Sequence, residues 1–209
     1  MKRKLRQDNQ STAMQNLAAL QAQLDSLKAQ VNPHFLFNNL SILSSLVQVD
    51  PVLSERFIDE LSQTYRYILD QRELKVVPLR AEMDFIDSFA FLLKMRFERK
   101  FDLISKIEER DLDRHQIVPL TLQLLVENAI SHNCMSVKEP LVVDISIQNA
   151  NLLVKNRLQP RPAYQQQAGY GLRNLSNRYA LVIDRPVWAG IIANEFVVQI
   201  PLIDDNGLL

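Results

Sequence analysis

The sequence predicts an α+β protein, with an N-terminal helical region and a C-terminal mixed sheet that is covered on one face by helices. Up to about residue 77, the sequence contains sets of apolar residues three and four positions apart, which is helical spacing. From residue 78 onward, helical stretches alternate with short runs of β-branched and aliphatic residues that are separated by turns. We therefore predict three parts: a coiled-coil stalk over 1–30, a helical hairpin over 31–77 and an α+β domain over 78–209.

The predicted stalk has apolar residues in a three-four repeat: Leu17, Leu20, Leu24, Leu27 and Val31. This is the a/d seam of a coiled coil of about two heptads, which favours a dimeric stalk; a helix packed on its own domain is the alternative. The basic start, MKRKLR, is typical of a cytoplasmic flank of a membrane span and also of an ordinary soluble start. We expect membrane attachment through a segment absent from this chain, which has no apolar run of about 20 residues.

The stretch QVNPHFLFNNL, residues 30–40, begins the hairpin. Asn32 is a favoured N-cap and Pro33 suits the first helical position, so a helix restarts here. When the three-four spacing of the stalk is continued past Pro33, it reaches only polar residues, which are His34, Asn38, Ser41, Ser45 and Gln48. His34 is therefore predicted on the wet side of the first turn, as either an inert surface histidine or a reactive one.

A second amphipathic helix is predicted from Pro51, with an apolar face formed by Leu53, Phe57, Leu61, Tyr65 and Ile68. The short turn before it makes the two helices an antiparallel hairpin, and two such hairpins would form a four-helix dimer core. The elements predicted beyond it are a helix over 79–97, a strand over 101–107, a helix over 118–133, strands over 143–147 and 152–154, and a strand over 193–202.

The composition excludes some classes of protein. The chain has 24 basic and 24 acidic residues, whereas a general nucleic-acid binder needs a basic surface. Its single cysteine, Cys134, rules out an intrachain disulfide framework and indicates a reducing compartment.

Two motifs suggest chemistry. The third predicted helix ends in LLVENAISH, in which Asn128 and His132 are four residues apart and share a face, with Glu127 beside them. Such groups suit a hydrated Mg²⁺ and a phosphate chain, or they are surface and capping groups at a helix end. Gly169 and Gly171, two of only four glycines, precede an amphipathic run. Glycines there let backbone N–H groups approach a phosphate, although ordinary turns use the same residues.

Taken in order, QVNPHFLFNNL, LLVENAISH and GYGLRNLSNRY resemble the cytoplasmic part of sensor histidine kinases of the autolysin-sensor type, over about residues 27–202. The resemblance implies a GHKL-type ATP-binding fold for 78–209 and Mg²⁺-ATP-dependent autophosphorylation of a histidine. The phosphoryl group would then pass to an aspartate on a response regulator, usually one with a LytTR DNA-binding domain. The resemblance also implies that the chain forms a homodimer and that it is the cytoplasmic domain of a membrane sensor.

The resemblance also assigns roles to residues. His34 matches the phosphoacceptor histidine. Independently of the resemblance, Asn38 is at i+4 and can orient the His34 ring, and our hypothesis is that Glu127 acts as the base when the ATP-binding domain docks. Asn128 matches the amide that holds Mg²⁺ against the ATP phosphates, and His132 matches a phosphate contact. Further nucleotide positions are Gly169 and Gly171 of the second glycine box, with Leu172 and Asn174 at the start of the following helix.

The sequence departs from the family at the D-x-G-x-G motif that precedes the ATP lid. Asn156 stands where the family has the adenine-binding aspartate, no glycine follows, and the lid over 157–168 is short. This departure motivates an alternative, a dimeric pseudokinase that acts as a signalling scaffold. A second alternative is a metal-binding module that uses His132, Cys134 and His34, although the spacing of these residues is poor for zinc. A third is a soluble metabolic enzyme, in which the stalk would have no role.

Overall fold

A computed structural model describes residues 33–71, 74–161 and 170–204. The predicted stalk over 1–30 and the predicted site residue Gly169 lie outside the described residues. Those described fall into two compact units, one up to Val49 and one from Asp50 onward. Every helix in the described ranges is too short or too polar to cross a membrane.

The first unit contains helix α1, Pro33–Val49, which begins at the predicted proline. The buried residues of α1 are Phe35 and Asn39, and the Asn39 amide donates to the Phe35 carbonyl at 2.8 Å. Much of the apolar side of α1 is exposed in this single chain, including Phe37 and Val47, which are 67% and 54% exposed.

The second unit begins with helix α2, Pro51–Asp70. Asp50 caps it, because its carboxylate accepts a hydrogen bond from the Leu53 N–H at 2.9 Å. The buried face of α2 packs on helix α3, Leu79–Phe97, and the Tyr67 and Phe85 rings stack with centroids 4.5 Å apart. Helix α2 therefore packs within the same unit as the domain predicted from residue 78, and the boundary at residue 77 stays a prediction.

The strands of the described residues are β1 Val77–Pro78, β2 Phe101–Lys106, β3 His115–Ile117, β4 Leu141–Gln148, β5 Asn151–Arg157, β6 Trp188–Ile192, β7 Glu195–Pro201 and β8 Ile203–Asp204. Five of them form a mixed sheet in the order β2-β4-β5-β7-β6, in which β2 and β4 are parallel and the other pairs antiparallel. The three others form a second sheet in the order β1-β3-β8. The remaining helices are α4 Glu109–Leu112, α5 Thr121–His132 and α6 Tyr170–Ala180, and a 3₁₀ turn spans Glu98–Lys100.

One face of the main sheet is covered by helices. Along β4, Leu141, Val143 and Ile145 are buried, and the residues between them are less so, which is the period-two pattern of a half-covered sheet. Helices α3 and α5 contact β2 and β4, respectively. The opposite face carries ion pairs between neighbouring strands, such as Lys155–Glu195. The predicted α+β class with a mixed sheet covered on one face is therefore confirmed.

Several predicted element boundaries differ from the observed ones, and two of these differences have a cause in the backbone. Helix α5 begins at Thr121 rather than 118, because Leu120 has a left-handed φ of 59° that no helix can include. The last predicted strand, over 193–202, is a hairpin arm that begins at Glu195, because Ala193 and Asn194 form a turn with positive φ. Its other arm, β6, was not predicted.

Candidate functional site

His34 is exposed in the first turn of α1, as the polar stripe predicted. The Asn38 side-chain amide donates to His34 Nε2 at 3.2 Å, which is the predicted i+4 contact. An Nε2 that accepts this bond carries the ring's lone pair, so the ring hydrogen is on Nδ1. The contact holds the imidazole in one orientation on an exposed helix face.

Glu127 and Asn128 are both half-buried on α5. Burial raises the pKa of the Glu127 carboxyl, and the Gln123 amide, which donates to Glu127 Oε1 at 3.1 Å, opposes this rise. The Asn128 side chain makes no hydrogen bond within the described part of the chain, while its carbonyl accepts from the Ser131 hydroxyl. An uncommitted amide oxygen fits Mg²⁺, which prefers oxygen ligands and keeps several waters.

Helix α6 begins at Tyr170, two residues before the predicted start at Leu172. Gly171 is therefore inside the first turn rather than in front of the helix, and its N–H is one of those that lack a partner within the helix. Leu172 is half-buried, whereas Asn174 is exposed.

Gly171 lies beside the face of α5 that bears Asn128. A methyl group added at Gly171 would lie 3.8 Å from Leu124 Cδ2, an ordinary contact, and the φ of Gly171 is outside the left-handed region. Within the described ranges, therefore, neither packing nor backbone conformation requires a glycine here. Since Leu124 and Asn128 are one turn apart on the same face of α5, the structure brings the two predicted phosphate-binding elements together.

Asn156 is buried on β5, on the covered face of the sheet with Leu152 and Val154. Its amide nitrogen donates to the Arg157 carbonyl at 2.8 Å, which leaves Oδ1 as the side chain's acceptor. An adenine amino group donates hydrogen bonds, so Asn156 Oδ1 is the kind of acceptor that it needs.

Comparison with known proteins gives consistent matches. A family model described as histidine kinase matches residues 22–101, which include His34. Proteins named Sensor protein LytS from Staphylococcus epidermidis and Bacillus subtilis are 31% and 35% identical over 134 and 111 residues. These matches cover 64% and 53% of this chain, and 22% and 18% of the respective relatives. The predicted resemblance to sensor histidine kinases of the autolysin-sensor type is therefore confirmed.

The chain spans about a fifth of the length of the relatives that it matches. Solved structures that it matches include the cytoplasmic segment of histidine kinase QseC, 17% identical, with a TM-score of 0.45 over 71% of this chain and 91% of that one. The catalytic domain of histidine kinase ThkA is 18% identical, with a TM-score of 0.37 over 60% of this chain and 93% of that one.

The end of α5 is hydrogen-bonded to the start of the predicted lid, a connection that the sequence did not reveal. The buried Asn133 follows α5, and its Oδ1 accepts from the Gln159 N–H at 2.8 Å. Arg161 Nε donates to the Asn133 carbonyl at 2.8 Å, and the Arg161 N–H donates to the His132 carbonyl at 3.2 Å. The one feature of the sequence that could have indicated this connection is Asn133, because asparagine is common directly after the end of a helix.

The metal-module alternative gains no support from the described residues. Cys134 is exposed, and no group of three or more His, Cys, Asp or Glu side chains within 33–71, 74–161 and 170–204 is arranged to hold a metal ion. His132 and Cys134 lie in the second compact unit, whereas His34 and Asn38 lie in the first.

Proposed function

We propose that this chain is the kinase part of a two-component sensor, which transfers the γ-phosphoryl group of ATP to His34 and then to an aspartate of a response regulator. The single observation that carries the proposal is the position of Gly171 beside the Asn128 face of α5, where no described residue requires a glycine. A glycine that neither packing nor φ explains is typical of backbone that a ligand approaches closely.

The proposed nucleotide site combines several groups of the second unit. The N–H groups of the first turn of α6 and the His132 side chain would bind the phosphates, and Asn156 Oδ1 would accept from the adenine amino group. Asn128 would hold Mg²⁺, which, when bound, neutralises phosphate charge. The remaining predicted positions in this site are Gly169, Leu172 and Asn174.

The proposed reaction is an in-line displacement at the γ-phosphorus. The Asn38 amide first gives up its hydrogen bond to His34 Nε2, which frees the Nε2 lone pair to attack the γ-phosphorus. The bond between the γ-phosphorus and the bridging β-phosphate oxygen then breaks, and ADP leaves. The Nδ1 proton passes to the Glu127 carboxylate, which leaves the imidazole ring neutral and the negative charge on the transferred phosphoryl group. Positioning and charge neutralisation supply most of the rate in phosphoryl transfer.

The partners follow from the same proposal. We propose a homodimer through the apolar side of α1, where Phe37, Leu40 and Val47 are exposed in the single chain. The receiving protein is a response regulator, for which the family resemblance suggests the LytTR type. The chain would be the cytoplasmic part of a membrane sensor.

The kinase is tested by incubation with γ-labelled ATP, with and without Mg²⁺. We expect acid-labile, base-stable label on the wild type only with Mg²⁺, and about ten- to hundredfold less on Asn128→Ala, since one contact to a charged group contributes about 1.5–3 kcal/mol. Asn177→Ala, which removes an exposed amide from α6, is the matched control and should label like the wild type. A wild type that neither labels nor binds ATP at millimolar concentration would favour the pseudokinase scaffold instead.

The substitution Gly171→Ala separates a ligand role of this glycine from a structural one. We expect the thermal midpoint not to fall, because alanine favours a helix over glycine by up to about 1 kcal/mol. The affinity for Mg²⁺-ATP should fall about tenfold, because the added methyl group keeps a phosphate from the backbone N–H groups. Isothermal titration calorimetry measures this affinity.

Gly190→Ala is the opposite case, because its methyl group would lie 2.6 Å from the Trp188 ring. It should lower the thermal midpoint and leave the ATP affinity unchanged. Unchanged affinity in Gly171→Ala would contradict the proposed phosphate contact.

A further inference from the structure

A buried carboxylate joins helix α2 to the start of α5. Glu82 on α3 is fully buried. Within the described residues, it accepts hydrogen bonds from the Tyr67 hydroxyl at 2.6 Å and from the Leu120 and Leu122 N–H groups at 3.0 and 2.9 Å. The two N–H groups lie at the start of α5, where helices lack internal acceptors and favour negative charge.

Helix α6 contacts the same junction. Arg178 Nη2 donates to the Pro119 carbonyl at 2.8 Å, and the Tyr179 hydroxyl accepts from the Val118 N–H at 3.3 Å. Leu120 directly follows Val118 and Pro119 and has a φ of 59°, which is a costly conformation for a residue with a side chain. The start of α5 is therefore held in a strained conformation from α3 and from α6 together.

Capping alone does not explain this arrangement. A serine, threonine or aspartate at the N-cap, together with a glutamate or glutamine at N3, would satisfy the same N–H groups locally, without burying a charge from another helix. The bond from Tyr67 contributes nothing to the cap. Burial and the neighbouring Glu82 raise the pKa of Tyr67, so this hydroxyl stays a donor to the carboxylate.

We infer that Glu82 is a positioning residue for the nucleotide site and that Tyr67 couples helix α2 to it. Helix α2 follows the phosphoacceptor helix in the chain, and α5 bears Glu127 and Asn128. A displacement of α2 would act on α5 through one hydroxyl and one carboxylate. By linkage, a nucleotide bound at α5 stabilises the bonded arrangement of α2 to the same extent. This inference rests on the proposed function.

The test is hydrogen–deuterium exchange of the α2 amides, with and without Mg²⁺ and the non-hydrolysable ATP analogue AMP-PNP. In the wild type, we expect the analogue to slow exchange in α2 by about fivefold or more, the low end of typical coupling between sites. Tyr67→Phe keeps the ring that stacks on Phe85 and removes only the hydroxyl. We expect it to bind AMP-PNP and to show no nucleotide-dependent change in α2.

Ser88→Ala is the matched control. Its hydroxyl donates to Gln63 Oε1 at 3.3 Å, so this variant also loses a hydrogen bond between α2 and α3, but one that does not involve Glu82. It should retain the nucleotide-dependent protection, which separates coupling from general loosening of the interface. Equal protection in Tyr67→Phe and wild type, or nucleotide binding without any change in wild-type α2, would overturn the inference. A wild type that does not bind AMP-PNP would instead overturn the proposed function.

Discussion

Replacing Glu82 with alanine is expected to lower the free energy of unfolding by about 3–5 kcal/mol. Three donors lose their acceptor, and a buried donor left unpaired costs about 1–3 kcal/mol. A cavity adds to this cost, while the desolvation of the carboxylate, which burial imposes on the wild type, is recovered. Urea denaturation followed by circular dichroism measures the change.

Two other glutamate substitutions define what this result means. Glu82→Gln keeps the volume and one accepting oxygen, so it should lose less stability than Glu82→Ala. Glu109→Ala removes an exposed carboxylate that pairs with Arg80, and solvent screens a surface pair of this kind, so the variant should lose much less stability than Glu82→Ala. A loss below about 1 kcal/mol for Glu82→Ala would show that the carboxylate does not hold the start of α5.

Replacing Glu127 with glutamine is expected to reduce autophosphorylation by about a hundredfold or more, because general bases contribute about 10²–10⁴ to a rate. The amide keeps the size of the side chain and can still accept from Gln123, so α5 should stay in place. Affinity for Mg²⁺-ATP should therefore remain within about threefold of the wild type. Rates of label incorporation at saturating ATP, beside calorimetric affinities, separate the two effects. Full activity in Glu127→Gln would exclude this carboxylate as the base.

The same substitution has a pH-dependent effect on stability. Burial raises the pKa of Glu127 above its ordinary value of 4.5, so the folded chain binds this proton more tightly than the unfolded chain. The resulting stabilisation is complete below the unfolded-state pKa and is lost as the pH rises through the folded-state pKa. Glutamine does not titrate. The thermal midpoint of Glu127→Gln, relative to the wild type, should therefore be higher near neutral pH than at about pH 4.

The local parts of the fold and site could be predicted from the sequence. Pro33 and Pro51 mark helix starts, and the alternation of Val143 and Ile145 marks a half-covered strand. His34 was placed on an exposed face because the apolar spacing changes at Pro33. Each of these signals depends on residues within one or two turns, where periodicity and capping act.

The parts that were missed depend on residues distant in the chain. Helix α5 begins later than predicted because Leu120 has a left-handed conformation. The Leu120 N–H donates to Glu82, which lies 38 residues earlier in the chain. Strand β6 was missed because its apolar residues are exposed and do not alternate. The contact of Asn133 with Gln159 likewise joins two elements that no local pattern relates.

The central claim is that His34 accepts the phosphoryl group. The chain has three histidines, so His34→Gln and His132→Gln can be incubated with γ-labelled Mg²⁺-ATP beside the wild type. We expect acid-labile, base-stable label on the wild type, a lower level on His132→Gln through weaker phosphate binding, and none on His34→Gln. Label that persists on His34→Gln would contradict the account.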